Sequence, residues 1–278
     1  PSRDGLHRMR WRNRNPQQPV APWSRERLLA TLLIGILTIL VLVSGVAVAI
    51  WQAATGAVPQ AGTNLVEAGP GSAEAVRDRI AAEPMLAVSR DDATRGAPAV
   101  VQPEGIVIPE PARLDGPAGV PTGFPHTPEG AVGQLAQIEA TVLDSMSIDT
   151  ARAVHGAWVR EGGPSLEEWV MTRSVQSFVR ASGTTERTAV VKATPVAAQV
   201  KGTDGPDWVV ACVLLDVHAS LQAEARVGFG HCERMAWVEG RWVIDAGQPP
   251  AWAPSTWPGS QKAAEAGWRP WVIEGVQR

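Results

Sequence analysis

The chain has no tyrosine, three phenylalanines, three lysines (Lys192, Lys201 and Lys262) and two cysteines in 278 residues. Any mechanism that needs a phenolic hydroxyl is therefore excluded. Two cysteines cannot build a four-thiolate zinc site, and no CxxC is present. The HExxH, GxSxG and phosphate-binding-loop spacings are missing too, so metalloprotease, hydrolase and nucleotide chemistries gain no motif support. Lysine is scarce because 22 of the 25 cations are arginine. With the abundant alanine, glycine and proline, this reads as a composition skew rather than a functional device.

What is present is unevenly placed. The net charge of −3 hides a segregation. Residues 1–27 hold seven arginines against Asp4 and Glu26, a net of +5, and the remaining 251 residues carry −8. A duplex-binding domain usually presents a basic face on its folded part. Nucleic acid is accordingly an unfavoured partner for the acidic portion.

Leu28–Trp51 is uncharged and almost wholly apolar (LLATLLIGILTILVLVSGVAVAIW). As a helix, 24 residues would extend about 36 Å, enough to cross a ~30 Å hydrocarbon core with some tilt. Trp23 and Trp51 flank the run, where amphipathic indoles favour the membrane interface. The charge step from basic to acidic places residues 1–27 in the cytoplasm and residues 52–278 outside, as a single-pass signal-anchor. The alternative is a cleaved signal peptide ending at Ala47-Val48-Ala49, but the apolar run is long for one and a 27-residue leader precedes it. Gly45 and Ala49 form a small-xxx-small pair, a contact through which the anchor could form a homo-oligomer. The arginines of the tail, with Trp11 among them, suit anionic lipid; a cytoplasmic partner or DNA is the rival reading.

Residues 52–125 contain ten prolines and nine glycines, a composition that propagates neither helix nor central strand. They are expected to form an extended extracytoplasmic linker, interrupted by one short helix over 73–83 capped by Ser72 and stopped by Pro84.

Residues 126–278 are expected to form an α+β domain. Thr127 caps a helix with Pro128 at its first position, and Val132, Leu135, Ala136, Val142, Leu143 and Met146 follow at three-and-four spacing. Asp149 is read as the cap of a second helix, with Val154 and Trp158 on one face. Ser165 and Glu168 form a capping box for a third, running through Trp169 and Val179 to a stop near Gly183. Strands follow. Thr188–Lys201 carries Pro195 and should be an edge strand or bulged. In Trp208–Ser220, Val209, Ala211, Val213, Leu215 and Val217 share one face, and Arg226–Val238 offers Val227, Phe229, Met235 and Trp237. Glu239-Gly240 is a hairpin turn that sets Trp237 opposite Trp242.

Cys212 and Cys232 lie equidistant from the polar stretch Leu221–Glu224 that should join two of these strands, so they are expected to be cross-strand neighbours. Outside the membrane such a pair forms a disulfide. Two free thiols and a metal site with His231 are the alternatives; His231 points to the opposite face from Cys232, and two ligands rarely hold zinc.

The tail 246–278 carries Trp252, Trp257, Trp268 and Trp271. Four solvated tryptophans would invite aggregation. They are expected either to fold back over the sheet or to contact a partner. Asp216 and His218 share a strand face and could form an acid/base pair in a pocket; the plainer reading is ion pairing with Arg226 and Arg234 on the outer side of the sheet. His155 and Asp144 read as capping or surface groups.

Three helices followed by a four-stranded antiparallel meander resemble the nuclear transport factor 2-like cone, here with helices packed on a curved antiparallel sheet. With a basic tail, a membrane anchor and a stalk, the chain resembles the bitopic scaffold proteins of type IV secretion and conjugation machines. Gly123-Phe124-Pro125-His126-Thr127-Pro128-Glu129-Gly130-Ala131-Val132 is similar to the domain opening of actinobacterial transfer-associated membrane proteins. The resemblance covers roughly residues 24–50 and 123–245. It implies a non-enzymatic scaffold, without cofactor or metal, whose partners are other envelope proteins of a transfer or secretion complex. The Asn-Pro-x-Gly turn of some members is absent, so their dimer contact is not implied. A cone-fold small-molecule or lipid binder is the alternative, lipid-import accessory proteins sharing the layout. An isomerase-like enzyme is the remaining possibility, although the tyrosine donor of such enzymes is missing.

Overall fold

A computed structural model describes residues 72–182, 190–220 and 224–273. The basic tail 1–27, the apolar run 28–51 and the spacer as far as residue 71 lie outside the described residues. So do the expected helix stop at Gly183, the strand start at Thr188 and residues 221–223 of the polar connection. Among the described residues no helix is long and apolar enough to cross a membrane.

The fold is α+β, with helices on a strongly curled mixed sheet. In chain order the elements are α1 (Ala73–Ala82), α2 (Arg90–Thr94), β1 (Ile106–Ile108), α3 (Pro128–Ser145), α4 (Ile148–Trp158), α5 (Val170–Ser182), β2 (Val190–Thr203), β3 (Trp208–Ser220), β4 (Glu224–Val238), β5 (Arg241–Ile244), α6 (Gln261–Glu265) and β6 (Arg269–Ile273). The sheet order is β1-β6-β2-β3-β4-β5, with only the β1–β6 pair parallel.

Local chemistry explains several boundaries. The Thr127 hydroxyl accepts from Gly130 N at 3.0 Å, and Pro128 fills the first position of α3, where a missing N–H costs nothing. The cap of α4 is Ser147, whose hydroxyl accepts from Thr150 N at 3.3 Å, and not Asp149. Asp149 instead sits in the first turn beside the helix dipole, paired with Arg152 at 2.7 Å. Only half of the Ser165–Glu168 box forms: Glu168 N donates to Ser165 Oγ at 3.3 Å, while the Glu168 carboxylate accepts from the Ser165 hydroxyl rather than its backbone N–H, and this closes a turn ahead of α5. Pro195 is accommodated by a bulge between Pro195 and Ala197. Beyond it β2 gains β6 as a neighbour through Ala197 and Ala198, so it is not an edge strand there.

The long strands pair in the expected register. Trp237 faces Trp242 across the β4–β5 turn, their rings edge-on at 5.3 Å. Glu239 and Gly240 both have positive φ, the left-handed pair that a two-residue hairpin needs. On the inner face Val209, Ala211, Val213 and Leu215 pack under Val132, Leu135, Ala136, Val142 and Leu143 of α3. The other face of β3 is buried as well. Trp208, Val210, Cys212 and Leu214 form a second cluster with Ala81, Ala263 and Trp268. That double burial accounts for a strand that is a continuous apolar run rather than an alternating one.

The spacer expected to reach Pro125 is corrected: residues from 72 onward belong to the folded unit. Ile106, Ile108, Val120 and Phe124 are buried in the inner core. Proline limits helix here to short pieces without preventing packing, because extended backbone can satisfy its carbonyls from side chains. Trp158 Nε1 donates to Pro117 O at 3.0 Å and Trp242 Nε1 to Pro125 O at 2.9 Å. Gln134 Nε2 donates to Pro121 O at 3.0 Å. The short helix expected over 73–83 is α1, capped by Ser72.

Candidate functional site

Along β4 the residues of inward parity are Val227, Phe229, His231, Glu233, Met235 and Trp237. Apolar groups occupy both ends, whereas two ionisable side chains fill the middle. On α3 the buried stripe runs Val132, Leu135, Ala136, Glu139, Val142, Leu143, and the carboxylate in its centre is fully buried. Helix and strand bring these groups together. His231 Nδ1 lies 2.7 Å from Glu139 Oε1, and His231 Nε2 lies 3.6 Å from Glu233 Oε1. Trp169 Nε1 donates to Glu233 Oε1 at 3.2 Å. The Trp169 indole is itself held edge-on by His155, at 5.6 Å, whose Nε2 contacts Pro164 O at 2.8 Å.

The electrostatics follow from burial. One imidazole lies between two carboxylates, and each of the three side chains is at least nine-tenths out of solvent. Burial pushes the Glu233 carboxyl up to about 7; the negative charge of Glu139 adds to this, while His231 and the Trp169 donor oppose it. Burial likewise raises Glu139, against the pull of His231. For His231 burial alone would lower the value, but the carboxylates of Glu139 and Glu233 outweigh it and raise it. Among the described residues Glu139 Oε2 has no hydrogen-bond partner, a costly state for an ionised oxygen and a tolerable one for a carboxyl that shares a proton. Such a cluster can hold or pass a proton near neutrality. Among the described residues no group of three or more His, Cys, Asp or Glu side chains is placed to hold a metal ion.

A cavity of about 280 Å³ opens beside it, with walls that include Trp169, Arg173, His231, Glu233, Pro250 and Trp252. It exists because β5 covers β4 only from Met235 onward. The earlier stretch of β4 is roofed by the tail segment 249–253, pinned by Ala251 N donating to Ala81 O at 2.9 Å. A wider apolar groove of about 730 Å³ lies on the other side of that segment, between Met85, Leu86 and Val88 and the residues Phe229, Trp252 and Pro254.

The residues expected from sequence fall elsewhere. Asp216 and His218 sit on the other sheet face, and neither lines either cavity. Asp216 receives two hydrogen bonds from Arg226, at 2.8 and 2.6 Å, and lies 3.2 Å from His218. Burial pushes the Asp216 carboxyl up, but Arg226 and then His218 more than offset it and hold it below the usual carboxylate range. Arg234 is not part of this group; it pairs with Asp78 of α1 at 2.6 Å. Asp144 accepts from Ala193 N at 2.7 Å, tying α3 to β2.

The four tail tryptophans divide. Trp268 is buried on the outer sheet face with Nε1 donating to Pro254 O at 2.9 Å, and Trp257 lies 4.5 Å beneath Arg226. Trp271 is half-buried against the inner core. Trp252 is 78% exposed at the junction of the two cavities. Cys212 and Cys232 are register partners joined by a disulfide, and neither thiol is free.

Sequence reasoning missed Glu139, His231 and Glu233 as a group. The signal was available: a carboxylate at three-and-four spacing inside the apolar stripe of α3, and two ionisable residues at inward parity on β4. No family model, curated protein or solved structure matches this chain.

Proposed function

We propose that the chain is a single-pass membrane protein, anchored by residues 28–51, whose outer domain has the nuclear transport factor 2-like cone architecture. It serves there as a non-enzymatic assembly component of a conjugative, type IV secretion-like apparatus. The observation that carries this reading is the Cys212–Cys232 disulfide. A bridge of this kind persists in an oxidising compartment, which agrees with a +5 tail before the apolar run and an acidic remainder after it. The exposed Trp252 beside an apolar groove supports work by protein–protein contact with other envelope proteins, since tryptophan is a preferred interface anchor. A photo-crosslinker placed at position 252 of the full chain in its native membrane tests it. The expected products are adducts with other membrane-anchored proteins of a transfer channel. Adducts with neither such proteins nor a second copy would overturn the reading.

A second reading, a small-molecule binder on the same fold, is favoured by one observation. The buried Glu139–His231–Glu233 group borders a cavity of about 280 Å³, and burying three ionisable groups beside an opening has no stabilising rationale of its own.

A further inference from the structure

The chemistry of that cavity narrows what it can hold. Its floor is Glu233 and His231, and its walls are largely apolar or aromatic: Pro164, Val170, Pro250 and the indoles of Trp169 and Trp252. Glu233 is 4% exposed and borders the opening. Its Oε1 accepts from Trp169 and faces His231, whereas Oε2 takes no hydrogen bond from the described residues. The site thus presents one carboxylate oxygen, nearly stripped of water, toward an apolar cavity.

Charge decides which ligand suits that oxygen. The ionisable groups facing it are Glu139 on α3, His231 on its own strand, and Arg173 and Glu168 at the mouth. The Trp169 indole is backed by His155 of α4, and the tail segment 249–253 brings no charge. Glu168 is engaged by the Ser165 hydroxyl at 2.8 Å. Two buried carboxylates therefore share one buried imidazole, and the group lacks one positive charge when fully ionised. A bound anion would worsen that imbalance, and a neutral ligand would leave it. A cation would close it, and the indoles of Trp169 and Trp252 in the wall are the side-chain type best suited to cation–π contact.

Resting on the small-molecule reading, we propose that this cavity binds a small organic ammonium ion, its charged nitrogen on Glu233 Oε2 and its apolar body against Trp169 and Trp252. The same ammonium chemistry occurs in free amines and in the headgroup of phosphatidylethanolamine.

The test is a ligand-observed NMR titration of the full chain in detergent with benzylammonium and with its neutral counterpart benzyl alcohol, at pH 6 and pH 8. Benzylammonium is expected to bind at least tenfold more tightly than the alcohol at pH 8. Its affinity should weaken by up to about ninefold at pH 6, because a carboxyl near 7 is about nine-tenths ionised at pH 8 and about one-tenth at pH 6. Glu233→Gln keeps an acceptor for Trp169, so it should fold, retain alcohol binding and lose the preference for the cation. Arg173→Ala, at an exposed position on the mouth, should tighten benzylammonium binding at least twofold. Vesicles containing phosphatidylethanolamine form a further arm: a response to free benzylammonium, or to these vesicles alone, supports the proposal and identifies the ammonium source as free or lipid-borne. Equal affinity for benzylammonium and benzyl alcohol would overturn the ammonium assignment while leaving a small-molecule site. Binding of neither probe, in solution or on vesicles, would overturn both.

Discussion

Glu233→Gln should make the protein more stable at alkaline pH, an unusual direction for removing a charged side chain. The ordinary glutamate value is 4.5 and burial pushes Glu233 up to about 7. Below pH 4.5 the carboxyl is protonated whether the chain is folded or not, so no difference arises. Between 4.5 and 7 the folded state retains a proton that the unfolded state releases, and stability falls as pH rises. Above pH 7 the whole difference, about 3 kcal/mol, is expressed against the folded state. Glutamine mimics the protonated form and leaves the Trp169 donor an acceptor, so the variant should escape that loss. The raised values of Glu139 and His231 act in the same direction, and wild type should be more stable near pH 5 than near pH 8. Denaturant unfolding, followed by tryptophan fluorescence from pH 5 to pH 9, measures this. The variant should lie within about 1 kcal/mol of wild type at pH 5 and exceed it by up to about 3 kcal/mol at pH 8.5. A variant weaker by a constant amount at every pH would refute the reasoning, because Glu233 would then be an ionised partner of His231 throughout.

Three further outcomes follow from the packing. Trp268→Ala should cost about 3–5 kcal/mol, whereas Trp252→Ala, at a 78% exposed position, should stay within about 0.5 kcal/mol; similar denaturation midpoints for the two would contradict the placement of the tail. Gly228→Ala would put a Cβ 1.9 Å from Thr256 O, so the strand must shed the tail that lies across it. Limited proteolysis should then cut near residues 250–258, and an unchanged digestion pattern would count against that close approach. Asp216→Asn should cost at most about 1 kcal/mol at neutral pH, since Arg226 is well exposed. Because the folded value of Asp216 is lowered, that contribution is present above the usual carboxylate range and lost as pH falls through the folded value. A gap between variant and wild type that widens toward acid would be inconsistent with this.

Much of the domain was readable because local rules and tertiary packing agree there. Thr127-Pro128 opens α3 as a cap and first-position proline should, and the midpoint between Cys212 and Cys232 fixes the register of β3 on β4. Two failures have physical causes. Proline and glycine content over 52–125 reads as an extended linker, yet Ile106, Ile108, Val120 and Phe124 are buried, because extended backbone packs well once indole and amide donors reach its carbonyls. The acid–histidine group is hard to read from sequence because Glu139 stands inside an otherwise apolar stripe of α3, whose periodicity registers the apolar neighbours and not the carboxylate. Asp216 and His218 share one face of a single strand, a weaker signal of a site than convergence from different elements. The outer sheet face shows the same limit: whether Trp208 and Cys212 meet solvent or the tail depends on contacts some 50 residues apart in sequence, which periodicity does not encode.

The claim that the folded part of this chain works outside the membrane is tested most directly by the oxidation state of its two cysteines in the cell. Thiols should be trapped by acid quenching and alkylation of the denatured chain, with the product weighed by mass spectrometry. No cysteine should be alkylated before reduction, and both should be after it. Two alkylated cysteines before reduction would contradict the claim.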